Sequence, residues 1–253
     1  MRGRGEHVVG IIQVRLGSSR LPRKSLAEIA GRPLLGHVID RGLAASLLDE
    51  VVVATTVDPL DDELEAFAQA QSVRVVRGSV EDVLDRFRQA AEETQATVIV
   101  RLTADDPFKD PDVIDLVCGR LLESPTADYV SNTIRPTFPV GIDVEAIRRD
   151  ALLRAAAEAE SPFDREHVTP YVIGRPEQFR LASVEHDVDL SELRWTIDFT
   201  ADLEFADAVY RRLAPDALFG LQAVLDLLDN DRDIARLHRL AVEAADAASQ
   251  AGK

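Results

Sequence analysis

Four short apolar runs set the strongest limit on how this chain can fold. "VVGIIQV" (8–14), "EVVVATT" (50–56), "VRVVRG" (73–78) and "ATVIVRLT" (96–103) are rich in Val and Ile and mostly continuous rather than alternating in polarity. Strands covered on both faces have this pattern. Helical patterns separate the runs. In "DPLDDELEAFAQAQ", Leu60, Leu64, Phe67 and Ala68 share one helix face, with Asp58 as cap and Pro59 in the first turn. "VLDRFRQAAEE" and "DPDVIDLVCGRLL" repeat the theme, the latter with Asp110 as cap and Pro111 at its first position. Strand–helix alternation of this kind predicts a parallel sheet with right-handed crossovers.

After about residue 127 the pattern changes. "DYVSNT" and "GIDVEAI" have the form of short strands flanking the Pro-containing "IRPTFPV". Helices are expected around 149–160 and 162–173, a strand at "FRLASV", and a last strand at "LRWTIDF" (193–199), with helices to about 239. The Ala-rich, polar end (240–253) is expected to fray. No Gly- or Ser-rich linker divides the chain, so 1–239 reads as one α/β domain with an inserted β-rich segment at 132–190.

In an open parallel sheet, ligands bind beyond the carboxyl ends of the strands. The residues hardest to explain as packing gather there. The first strand runs into "RLGSSRLPRKSL" (15–26), which holds four cations in a chain of net charge -16. Gly17 permits a tight turn whose N–H groups can form an anion nest. Arg15 and Arg20 offer guanidinium forks and Lys24 a point charge. The loop is neither G-x-x-x-x-G-K-[ST] nor G-x-G-x-x-G. A solvated surface loop is the bland alternative. Thr55 and Thr56 end the second strand, Arg77–Ser79 the third, "TADDP" (103–107) the fourth, and Asp198 with Asp202 the late one. Asp105, Asp106 and Asp198 can serve as turn or capping residues. Set beside a phosphate loop, they also suit Mg²⁺, which takes one or two carboxylates with phosphate oxygens and water. Loop and carboxylates together specify a nucleoside triphosphate with a metal.

Composition narrows the classes further. The strong net negative charge argues against nucleic-acid or anionic-membrane binding as the main task. No apolar run approaches the ~20 residues of a membrane span. "MRGRGEH" lacks the apolar core of a signal peptide. The single cysteine, Cys118, excludes an internal disulfide and reads as core. A cytoplasmic enzyme fits these features.

The motifs, in order and at this spacing, resemble those of cytidylyltransferases related to CMP-ulosonate and CMP-sialate synthetases, most of all the spore-coat polysaccharide biosynthesis subgroup. The similarity runs from "IIQVRLGSSRLPRKSL" through "RPLLGHVIDR", "VVVATT", "VRGSVEDVLDRF", "VIVRLTADDPFKDPDVID", "DYVSNT", "GIDVEAI" and "REHVTPY" to "LRWTIDFTADLEFA". The resemblance implies a three-layer, mostly parallel fold of the GT-A-like, Rossmann-related nucleotidyltransferase kind. It also implies transfer of CMP from CTP to an acceptor with release of pyrophosphate, and, as in related synthetases, a possible homodimer. By motif, Arg15, Gly17, Ser18, Arg20 and Lys24 would hold the triphosphate. Arg77, Gly78 and Ser79 would read the cytosine, and Asp105 and Asp198 would ligate Mg²⁺. Asp143, Glu145, Arg165 and His167 would face a small anionic acceptor. The catalytic residues would be Lys24, Arg20 and Asp105. Arg23 stands where the family has glycine, and Ala104 and Asp106 replace the glycine and cysteine of "TGDCP". An acidic-sugar acceptor is expected first, and a phosphate- or phosphonate-bearing one second. A related glycosyltransferase would show D-x-D, which "ADDP" does not supply. A catalytically silent nucleotide-sensing subunit is the remaining alternative.

Overall fold

The computed structural model describes residues 5–18, 20–214 and 218–251. Met1–Arg4 of the "MRGRGEH" segment and residues 252–253 of the expected tail lie outside it. In chain order the elements begin β1 (Val8–Gln13), β2 (Glu28–Ile29), β3 (Arg32–Pro33), α1 (Leu34–Ala44), β4 (Glu50–Thr56), α2 (Asp62–Ala70) and β5 (Arg74–Gly78). They continue with α3 (Val83–Glu93), β6 (Val98–Thr103), α4 (Pro111–Leu122), β7 (Tyr129–Ser131), β8 (Glu145–Arg148) and α5 (Arg149–Glu158). The last are α6 (Pro162–His167), α7 (Pro170–Ile173), β9 (Leu181–Ser183), α8 (Thr200–Leu213), α9 (Leu221–Asn230) and α10 (Arg232–Ala251).

The main sheet has the order β5-β4-β1-β6-β8-β7-β9. β1 pairs in parallel with β4 and β6, and β4 with β5, while β8 runs antiparallel to both β6 and β7. β1 shows why its run is continuous. Val8 and Ile12 pack into the core shared with α1, α4 and α8, whereas Val9 and Ile11 pack into the core beneath α3, α5 and α7. Helices on both faces make three layers.

The four N-terminal strands fall where the Val/Ile runs predict them, and Asp58 and Asp110 accept the capping bonds from Leu60 N and Asp112 N. Leu60, however, is exposed, because Pro59–Asp61 is a separate 3-10 turn ahead of α2 and turns that side chain off the buried face. The segment 132–190 is mixed rather than β-rich, contributing two short strands and three helices. The expected helix over 162–173 is broken at Val168, where φ is 72°. "LRWTIDF" is not a strand of the sheet. Its backbone makes one bridge, Val140 with Arg194, and Ile197 N donates to Asp105 O at 2.8 Å. The Ala-rich end is helical within the described residues, α10 continuing to Ala251 and packing on α8 and α9. Among the described residues no helix is long and apolar enough to cross a membrane.

Candidate active site

A cavity of about 430 Å³ opens beyond the ends of β1 and β6. The loop after β1 forms one wall, supplying Arg15, Gly17, Ser18, Arg20 and Lys24. Asp61 holds the start of that loop. It is buried, accepts from Leu16 N at 2.8 Å, and also takes the Thr56 hydroxyl. Ser18 Oγ accepts from Leu21 N, closing a local turn.

Among the described residues of this loop the left-handed one is Arg23, at φ 61°, rather than Gly17, whose missing Cβ would meet nothing. A glycine at position 23 would suit the same backbone. The Arg23 guanidinium leaves the cavity to bond Glu63 at 2.6 Å, so its charge does not enter the site.

Lys24 and the two predicted metal ligands come together. Lys24 Nζ donates to Asp105 Oδ2 and Asp198 Oδ1, each at 3.0 Å, and to Ile197 O at 2.7 Å. Burial works against the Lys24 charge, but the two carboxylates outweigh it and raise the pKa. Burial, with Asp106 nearby, pushes Asp105 up despite the ammonium. Arg20 lies 3.1 Å and Arg194 2.9 Å from Asp198, so three cations serve one carboxylate. Asp202 fixes this end of the site by accepting from Asp198 N and Phe199 N at 2.7 and 2.8 Å.

No group of three or more His, Cys, Asp or Glu side chains forms a metal cage among the described residues. The donor set nevertheless fits Mg²⁺. Two carboxylates converge on one cationic point beside a nucleotide-sized cavity, and Mg²⁺ completes its shell with phosphate oxygens and water.

A second cavity of about 220 Å³ adjoins the first and shares Arg101, Thr103 and Asp105 with it. Asp143 and Glu145 line it. Glu145 is buried and committed to Arg101 and to the Tyr129 hydroxyl, partners that hold its carboxyl below the usual range against the cost of burial. The Asp143 carboxylate has no hydrogen-bond or ion-pair partner among the described residues, and burial raises its pKa to about 6. Its backbone carbonyl is held by Lys109, which also neutralises the buried Asp106 at 2.7 Å. That pairing makes Asp106 a support for the site.

The remaining predicted residues divide. His167 lines the nucleotide-sized cavity, as does Glu166, which was not among the predicted residues and lies 3.8 Å from Arg15 across it. They lie at the end of α6, which stops at a γ-turn at Val168 closed by Thr169 N on His167 O. Arg165 lines neither cavity. It bonds Asp82 at 2.6 Å and the carbonyls of Ala156 and Ala159, tying α6 to the start of α3. Arg77 is likewise spent on Thr56 O, Asp58 O, Asp62 and Glu65. Ser79 Oγ accepts from Glu81 N and Asp82 N, and neither it nor Gly78 lines the cavity. Val83 and Arg86 of α3 occupy that wall instead. Arg86 and Arg101 are cationic lining residues that the sequence reading missed. The available signal for Arg86 was an arginine set between Val83 and Ala90 on the apolar face of its helix.

A family model described as cytidylyltransferase matches residues 9–238. The chain belongs to the cytidylyltransferase family. It is 32% identical over 236 residues to the spore coat polysaccharide biosynthesis protein SpsF of Bacillus subtilis, covering 90% of this chain and 96% of that one. It is 28% identical over 240 residues to a 3-deoxy-manno-octulosonate cytidylyltransferase of Anaeromyxobacter dehalogenans, covering 88% and 98%. A solved cytidylyltransferase from Leptospira borgpetersenii superposes with a TM-score of 0.86 at 30% identity, covering 90% of this chain and 96% of its own. This cytidylyltransferase is thus a CTP-dependent nucleotidyltransferase with the three-layer fold of its relatives.

Proposed function

We propose that this cytidylyltransferase transfers CMP from CTP to a hydroxyl of an acidic, ulosonate-like sugar, releasing pyrophosphate. The observation that carries the reading is the adjoining pair of cavities, which share Arg101, Thr103 and Asp105 at their junction. The larger suits the triphosphate and the smaller the acceptor. The acceptor oxygen bonds to the α-phosphorus as the bond to the bridging oxygen breaks, and the electron pair leaves with pyrophosphate. Positioning and neutralisation supply most of the acceleration in such transfers.

Arg15, Ser18, Arg20 and Lys24 bind the phosphates, and Lys24 with Arg20 stabilises the departing pyrophosphate. Asp105 and Asp198 would hold Mg²⁺, which when bound polarises the α-phosphate. Asp143, its carboxylate unpaired among the described residues and its pKa raised to about 6, takes the proton of the attacking hydroxyl. Arg101, oriented by Glu145 and by Gln13 at 2.8 Å, supplies the cation for the acceptor's charge that Arg165 cannot. His167, exposed and lining the larger cavity, would face the substrates there. The same reading includes a cytoplasmic location and a homodimer.

Pyrophosphate release with CTP and Mg²⁺ over a panel of ulosonates tests the proposal. Turnover with a ulosonate supports it. Turnover only with phosphate- or phosphonate-bearing acceptors would transfer the Arg101 site to that chemistry. CTP binding without release over the whole panel would mark a nucleotide-sensing protein.

A further inference from the structure

Arg86 is 2% exposed, yet its guanidinium has almost nothing to bond. Among the described residues Nε has no hydrogen-bond partner, and Nη1 reaches only Ala54 O at 3.5 Å, the outer limit for such a bond. The nearby carboxylates are committed elsewhere, Asp61 to Leu16 N and Thr56, and Asp82 to Arg165 and Asp85 N. Burial, with Arg15 close by, lowers the Arg86 pKa to about 10, so the group stays charged at neutral pH. Unmet donors in a buried cation are costly unless a ligand completes them. The open side of Arg86 is the cavity, where it stands beside Val83.

Its place in the sheet indicates which part of a nucleotide it would meet. Arg86 sits over β4 and β5, through Ala54 O and through Gly78, whose missing Cβ would fall 2.7 Å from Arg86 Cγ. Lys24 and Asp105 lie on the β6 side of β1. Strands are spaced about 4.8 Å apart, so the two ends of the cavity are separated by roughly two strands, on the order of 10 Å. A nucleotide with its phosphates at Lys24 and Asp105 therefore presents its base to Val83 and Arg86.

A guanidinium offers only donors, in a planar fork. Cytosine carries two adjacent acceptors, O2 and N3, that match it. Uracil has N3–H in the same place and sets donor against donor. We infer that Arg86 reads the O2–N3 edge of cytosine and selects CTP over UTP, and that Gly78 serves by leaving room for its stem. The inference rests on the proposed use of CTP in this cavity.

The test is calorimetric titration of the protein and of Arg86→Lys, Arg86→Met and Gly78→Ala with CTP, UTP and inorganic tripolyphosphate, each with Mg²⁺. CTP affinity is expected to fall about ten- to a hundredfold in both Arg86 variants, the scale of one bidentate base contact. UTP and tripolyphosphate should change little. Gly78→Ala, which displaces Arg86 without removing it, should give a smaller loss of the same selectivity. Equal losses for CTP, UTP and tripolyphosphate would make Arg86 a phosphate ligand and overturn the inference. Unchanged CTP selectivity in folded Arg86 variants would overturn it as well. Failure of the unsubstituted protein to bind CTP would instead remove the parent reading. Thermal melting of each variant identifies those that fold.

Discussion

Lys24 and Asp198 lie 174 residues apart in the chain and 3.0 Å apart in the fold. The same ammonium reaches Asp105, so without a divalent cation the two carboxylates are already neutralised from within the protein. On the proposed assignment of Asp105 and Asp198 to the metal, metal and lysine would compete for one pair of oxygens. Lys24→Ala should therefore strengthen Mn²⁺ binding to the nucleotide-free protein while lowering kcat about 10²–10³-fold, the scale of one transition-state charge contact. A Mn²⁺ titration followed by electron paramagnetic resonance checks the first effect. Unchanged affinity would mean that Asp105 and Asp198 do not form the metal site.

Asp143 has an ordinary carboxyl pKa of 3.8 raised to about 6, chiefly by burial. The folded chain then holds the proton more tightly than the unfolded one between about pH 4 and pH 6. Its contribution favours folding below pH 4 and is lost as pH rises through 6, at a cost of up to about 3 kcal/mol. Asp143→Asn should be more stable than its parent at pH 8 and no more stable at pH 4. It should also be less active, by about 10²–10⁴-fold, and lack the rise in kcat centred near pH 6. Melting curves and pH–rate profiles decide both.

Arg23→Gly tests the departure from the family's glycine. The substitution relieves a left-handed non-glycine residue, a strain of about 1–2 kcal/mol, but adds freedom to the unfolded chain and removes an exposed ion pair. Stability should stay within about 1 kcal/mol, and kcat and KM for CTP should hold. A large change in either constant would show that the guanidinium visits the site.

Arg165→Ala separates a structural cation from an acceptor ligand. Losing the bonds to Asp82 and to two carbonyls should cost about 2 kcal/mol of stability. Acceptor KM in the folded fraction should be nearly unchanged, whereas Arg101→Lys should raise it. Steady-state kinetics below the melting transition distinguish the two.

The sheet was legible in the sequence because strands buried on both faces must be apolar at every position, as Val8 to Ile12 are. The loop cations and Asp105 were legible as cavity-lining residues because they follow directly on the ends of β1 and β6. "LRWTIDF" carries equally strong apolar signals, yet its backbone partners, Val140 and Asp105, lie in loops that no local pattern predicts. The cations were the harder problem. Arg77, Arg86, Arg101 and Arg165 look alike in a string of letters. Arg77 and Arg165 are held by carboxylates and carbonyls away from both cavities, whereas Arg86 lines the larger cavity and Arg101, although paired with Glu145, lines both.

Gly141, at φ 104°, lets two loop backbones meet where a Cβ would fall 2.7 Å from Thr196 N. Two residues on stands Asp143, and two beyond Thr196 stands Asp198. The half of the protein that would choose the acceptor is thus welded to the half that would grip the donor's metal. Retuning for a new acceptor should begin with side chains such as Val140 and Thr196 that line the smaller cavity, because any wider backbone at position 141 would detune both halves together.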